Sequence, residues 1–235
     1  MDASILNYSV NDNVAEFLTK TKQLYINGKW VDSKSGKTFD VEDPATGKKI
    51  ATCSAGGEED INLAVSAARK AFDSGTWGKI PPNERGKIIW KIGDLIDEHT
   101  EELAQLESLD NGKPVAIAGA ADVALSSDIF RYMAGWATKI EGETIPISVP
   151  YTPGAQYHSY TLREPVGVVG QIIPWNFPLL MAAWKLSVAL TAGCTIVLKP
   201  AEQTPLSALR LTEIINNADI LPEGVLNVVT GFGEE

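Results

Sequence analysis

The chain has 235 residues, 44% of them hydrophobic, enough to bury a substantial core in one large domain or two modest ones, which excludes disorder as its main state. Lys and Arg number 20 against 30 Asp and Glu, and the net charge of −10 repels phosphate backbones and anionic lipid surfaces, so no nucleic-acid partner is expected. No apolar run approaches the roughly 20 residues that cross a bilayer, and Met1 to Lys20 lacks the basic-then-apolar pattern of a secretory signal, so a cytoplasmic protein with no membrane partner is expected.

The chain opens in β character. Leu24-Tyr25-Ile26 and Lys29-Trp30-Val31 flank Asn27-Gly28, a pair that tolerates the positive φ angles of a type I′ hairpin turn. Phe39-Asp40-Val41 and Ile50-Ala51-Thr52 form a second pair around Asp43-Pro44-Ala45-Thr46-Gly47. Helices follow. Glu58, Glu59 and Asp60 crowd the positive end of an amphipathic segment with Ile61, Ala64, Val65, Ala68, Ala71 and Phe72 on one face. Pro81-Pro82-Asn83 starts another helix, Thr100 is expected to cap a third that stops at Asn111-Gly112, and a longer one is expected from Pro114 to about Lys139.

From Thr144 to Pro165 the pattern alternates as in a strand, Tyr157, Ser159 and Thr161 against His158, Tyr160 and Leu162, and reads either as a projecting β arm or as a surface hairpin. Val166 to Gly233 then reads as strand, helix, strand, helix, strand. Val166 to Ile173 is a near-continuous apolar run, as expected of a parallel strand covered on both faces. Pro178 opens a helix that closes at Gly193, Thr195 to Leu198 is the second strand, Thr204-Pro205 caps and starts the next helix, and Val225 to Val229 is the third strand. The fold class is therefore α/β: hairpins and helices over 1–146, an arm over 147–164, and over 165–235 the first half of a Rossmann-like doubly wound sheet.

Ligands of such sheets sit beyond the carboxyl ends of the strands. Those tips are Pro174 to Pro178, Lys199 to Glu202, and Thr230 to Gly233. Asn176, held between two prolines, offers a neutral amide donor suited to a developing oxyanion, or is a plain turn residue. Lys199 and Glu202 can grip ribose hydroxyls, or form a solvated surface pair. Gly231-Phe232-Gly233 lets backbone approach a phosphate. Cys53 and Cys194 lack disulfide or zinc spacing, His99 and His158 lie far apart, and no resident metal cluster is expected.

Several of these blocks carry a resemblance. Glu164 to Val169, Ile173-Pro174-Trp175-Asn176-Phe177-Pro178 and Leu198-Lys199-Pro200-Ala201-Glu202-Gln203-Thr204-Pro205 resemble the aldehyde dehydrogenase superfamily in order and spacing. Ile26 to Trp30, Asp43 to Gly47 and Asp110 to Pro114 fit as well, so the resemblance runs over 22–235. It implies NAD as cofactor, with Asn176 as the side-chain half of an oxyanion hole and Lys199 and Glu202 on the adenosine ribose. Ile172, Ile173, Pro174 and Trp175 would line the dinucleotide cleft, and Gly233 would lie where the adenine-side helix begins.

Phe177, Leu180, Met181 and Trp184 match substrate-tunnel positions, which implies an apolar or aromatic aldehyde; around Ala155 to Arg163 the chain is most similar to phenylacetaldehyde dehydrogenases. The resemblance further implies a homodimer or homotetramer and a monovalent cation near Val41, Asp110 and Gln203, the alternative there being an ordinary hydrogen-bonded aspartate. Glu202 would repel a 2′-phosphate by about 1 kcal/mol in water and about 4 at an effective dielectric near 20, favouring NAD over NADP.

The family's pyrophosphate-binding Gly-Ser helix start, its Glu-Leu-Gly-Gly general-base block and its thiolate cysteine are absent from these 235 residues. In the intact family member a thiolate attacks the aldehyde, hydride passes to nicotinamide, and water releases the acid from a thioester. The expectation is thus an enzyme by family whose N-terminal fragment is inactive by itself and exposes an unpaired edge beyond its third strand. The competing class is a noncatalytic nucleotide-binding or structural protein on the same fold, like the crystallin-type relatives.

Overall fold

The computed structural model describes residues 10–234. Helix α1 (Asp12–Thr19) has no counterpart among the sequence expectations; Asn11 caps it by accepting a 2.9 Å hydrogen bond from Val14 N, and it buries Val14, Phe17 and Leu18. Strands β1 (Leu24–Ile26) and β2 (Lys29–Val31) form the expected hairpin, with Asn27 and Gly28 both at positive φ, 52° and 77°. Strands β3 (Thr38–Asp43) and β4 (Lys48–Ser54) form a separate antiparallel pair whose alternate residues Phe39, Val41 and Asp43 turn inward.

Helices α2 (Glu58–Ser74), α3 (Pro82–Glu98) and α4 (Thr100–Asn111) come next, and α4 stops at Gly112 as the sequence suggests. The remaining elements are α5 (Val115–Ile117), a π-helical turn (Ala118–Val123), α6 (Ala124–Ala134), β5 (Val168–Ile172), α7 (Pro178–Thr191), β6 (Thr195–Lys199), α8 (Leu206–Asn217) and β7 (Leu226–Val228).

The main sheet runs β2-β1-β7-β6-β5, parallel between β5, β6 and β7 and antiparallel where β1 joins β7. Helix α2 covers one face, where Ala64 and Ala68 meet Leu24, Ile26, Val197 and Val229. On the opposite face α7 and α8 pack with α3, α4 and α6 around Ile196, Leu198, Leu186 and Phe130. Residues Ile196, Val197 and Leu198 of β6 therefore alternate between two cores, which is why that strand reads as an unbroken apolar run.

Five expectations need correction. The segment 114–139 is not one helix: the π-helical turn interrupts it, and it ends at Ala134. Thr100 lies inside α4, and its Oγ1 donates 2.8 Å back to Asp97 O, so His99 takes the cap position. Thr204 does not cap α8; Pro205 holds that position, and Leu206 N is satisfied from α4. The stretch 144–165 contains no strand, only a Thr144–Tyr160 bridge flanked by Ile145 N donating to Ser159 O (2.8 Å) and Thr161 N to Glu143 O (2.9 Å). Pro146, Pro150 and Pro153 supply no N–H to lengthen that ladder.

The fifth concerns the sheet edge. Strand β7 is covered by the β1–β2 hairpin, so the edges of the sheet are β2 and β5; Ile172 at the end of β5 is 75% exposed and Val166, just before that strand, 86%, instead of covered on both faces.

Candidate functional site

The three parallel strands deliver their carboxyl ends to one rim. Ile172 pairs with Lys199 and Leu198 with Val228, and beyond them Ile173 N donates to Lys199 O (3.2 Å) and Val229 N to Leu198 O (2.9 Å). The third tip is clamped to the connection between β4 and α2: Thr230 Oγ1 donates to Ser54 O (2.6 Å) and Gly56 N to Thr230 O (2.7 Å). A Cβ on Gly231 would come 2.5 Å from Gly56 O, so this approach admits only glycine.

A cavity of about 530 Å³ opens on the rim, with Phe39, Val41, Asp110, Trp175, Glu202 and Phe232 among its walls. Phe39 and Phe232 lie tilted, ring centres 5.3 Å apart. Lys199 Nζ donates to Glu202 Oε2 (3.3 Å) and to Pro200 O (3.1 Å), and Gln203 Nε2 donates to Glu202 Oε1 (3.0 Å). Partial burial pushes the Glu202 carboxyl up, but its own backbone N–H, the Lys199 ammonium and the Gln203 amide outweigh that and leave it below the usual range. It is an ionised acceptor beside a cation at the cavity wall, a pair suited to vicinal hydroxyls.

Of the expected site residues, the fold brings Trp175 and Glu202 to this cavity, while Lys199 lies outside its lining and is joined to it through Glu202. Asn176 follows Trp175 on the same rim with its side chain exposed and outside the cavity lining. Pro174 and Ile172 are exposed, whereas Ile173 is buried in the core. Gly233 lies exposed just past the third tip. Along α7, Trp184 is exposed and Met181 half-buried; Leu180 faces the interior, and Phe177, the residue before α7, is exposed. Val41, Asp110 and Gln203 do meet around the cavity, and the Asp110 carboxyl accepts there from Leu206 N at 2.7 Å. Burial, with the neighbouring Glu107 adding to it, pushes that carboxyl well up, against hydrogen bonds from the Leu206 and Ser207 amides. Any cation there would rely on backbone and amide oxygens. Among the described residues no group of three or more His, Cys, Asp and Glu is arranged to hold a metal ion.

Sequence reasoning misses the supports of the rim. Asn111 Nδ2 donates to Trp175 O (2.8 Å), and Leu179 N donates to Glu107 Oε2 (3.3 Å). Lys113 Nζ sits 4.0 Å from the centre of the Phe177 ring and 2.7 Å from both carboxylate oxygens of the buried Asp122. The available signal lies in α4, where Glu107 and Asp110 interrupt the buried face made by Leu103, Leu106 and Leu109. An acid on the apolar face of a helix needs a partner.

Neither thiol is reachable. Cys53 is fully buried, which together with the nearby Asp110 carboxyl pushes its thiol far up, and Cys194 is 3% exposed.

An open α/β layer whose strand ends gather a Lys-Glu pair, a tryptophan and a glycine-containing tip at one rim defines the class as a Rossmann-like α/β scaffold with a ligand crevice at its strand ends. The aldehyde dehydrogenase family model matches residues 30–235, and the chain belongs to that family. It is 55% identical over 232 residues to DhaS of Bacillus subtilis, which carries an aldehyde dehydrogenase designation, covering 99% of this chain and 46% of that protein. It is 49% identical to a phenylacetaldehyde dehydrogenase of Pseudomonas fluorescens, over 90% of this chain and 42% of that one. An NAD+ complex of an aldehyde dehydrogenase from Bacillus cereus superposes with a TM-score of 0.92 at 52% identity, covering 97% of this chain and 45% of that chain. The chain thus spans about half the length of the relatives it matches.

Proposed function

We propose that these residues are the nucleotide side of an NAD-dependent aldehyde dehydrogenase that converts an apolar or aromatic aldehyde to a carboxylic acid. The observation that carries the reading is the Lys199–Glu202 pair, whose Glu202 lines the rim cavity together with Trp175. NAD, when bound, supplies the hydride acceptor. Lys199 and Glu202 would hold the adenosine ribose, and the exposed Trp175 and Ile172 would border the cofactor. Asn176, unpaired among the described residues and aimed at solvent, would donate to the oxyanion formed at the aldehyde carbon.

An aromatic substrate is supported by the 52% identity over 211 residues to the benzaldehyde dehydrogenase of Antirrhinum majus and by the phenylacetaldehyde dehydrogenase match. The exposed apolar side chains Phe177 and Trp184 at and along α7 fit that class. With both thiols buried, the 235 residues are expected to bind the nucleotide without turning over aldehyde. In the longer protein the 147–164 arm would pair subunits in a cytoplasmic setting; among the described residues no helix is long and apolar enough to cross a membrane.

Titration of the chain with NAD+ and NADP+, followed through tryptophan fluorescence, tests the reading. NAD+ should bind more tightly, and Glu202→Gln should narrow the gap by removing a charge worth about 1 to 4 kcal/mol against a 2′-phosphate. Preference for NADP+, or no effect of Glu202→Gln on either cofactor, would refute it.

A further inference from the structure

Three residues at the end of α4 reach both strand-tip segments that carry the proposed site. Glu107 and Asp110, three apart, lie on one face of the helix and are buried, at 0% and 2% exposure. Leu179 N, in the first turn of α7, donates to Glu107 Oε2 (3.3 Å) and more weakly to Oε1 (3.5 Å). Leu206 N, the first residue of α8, donates to Asp110 Oδ2 (2.7 Å). Asn111 Nδ2 donates to Trp175 O (2.8 Å), just before Asn176. Neither α7 nor α8 has a side-chain cap of its own, so first-turn amides that would otherwise be orphaned are satisfied from a helix distant in sequence.

The two anchors lie one helical turn apart on the same buried face of α4, and Lys113, just beyond the end of that helix, pairs with the buried Asp122 at 2.7 Å. Asp110 Oδ1 has no hydrogen-bond partner among the described residues, so the tie to α8 runs through Oδ2 alone, and a shift of the α4 end carries both anchors with it.

We infer that the last turn of α4 is a positioning element that couples the Pro174–Phe177 and Pro200–Pro205 segments, so that the oxyanion and ribose ends of the rim are held as one unit. The functional meaning rests on the reading of that rim as the nucleotide edge; the coupling itself does not.

Hydrogen exchange on the ligand-free chain tests it. Asp110→Ala should speed exchange about fivefold, the worth of a lost cap, at 206–208 and also at 174–179, whereas Asp110→Asn, which keeps an acceptor oxygen, should restore most of the protection. Glu107→Ala and Glu107→Gln should behave reciprocally. Asn111→Asp, at a half-buried position, replaces the donor to Trp175 O and serves if the buried variants do not fold; it should loosen 200–206 as well as 174–179. Acceleration confined to each variant's own segment would overturn the coupling. NAD+ titration of the unmodified chain is a separate arm, since failure to bind would sink the nucleotide reading and leave the exchange result to decide the coupling.

Discussion

Glu107 shows what a single buried acid does to the energetics of the chain. Burial holds its carboxyl at about 7, with Asp122 pushing the same way and the Ser207 hydroxyl, the Leu179 N–H and Lys113 opposing. In the unfolded chain the group returns to about 4.5. Between those values the folded state binds more protons than the unfolded one, so this residue's contribution is fully present below pH 4.5 and is lost as pH rises through 7. The loss is on the order of 3 kcal/mol. Urea unfolding from pH 4.5 to 8 should show Glu107→Gln with a flatter profile than the parent, and an unchanged slope would remove Glu107 as the cause. Lys199, at the end of β6, and Glu202, three residues on, can be singled out from sequence because they sit at a strand tip, whereas Glu107 cannot, because its partner Leu179 lies 72 residues away.

At the scale of elements, strands and turns with local signals came through intact. The Asn27-Gly28 turn, the β3–β4 pair and the stop of α4 at Gly112 each depend on residues within a few positions of one another. Helix starts were read less well, because α8 takes its cap from Asp110 and not from the adjacent Thr204. Alternation over 144–165 suggested a strand, but alternation reports which side chains share a face and not whether a neighbouring strand supplies hydrogen bonds. The third tip gives a sharp test of element packing. Gly231→Ala must push the tip away from Gly56 O, and a destabilisation of about 1–3 kcal/mol is expected in thermal or urea unfolding. A variant as stable as the parent would show that the two backbones are not held in this contact.

For the whole molecule, the sheet ends in β2 on one flank and β5 on the other, and large exposed apolar side chains stand at the β5 flank. Exposed Val166 and Ile172 at β5, with Trp184 and Val188 along α7, leave backbone hydrogen-bonding groups and apolar surface facing solvent together. Light scattering during size exclusion should show association that grows with protein concentration, and a strictly monomeric species at every concentration would contradict this account. The layer order was legible from the strand-helix alternation over 166–229, but the addition of β1 beside β7 was not, since that strand pair joins residues about as far apart as the chain allows. Asn27 N reaches Asn227 Oδ1 (2.9 Å) and Tyr25 pairs with Val228 across this join. During synthesis the hairpin must therefore wait for the 200 residues between Asn27 and Asn227 to emerge before it finds its seat, a delay in which its exposed backbone is open to chaperones and to wrong partners.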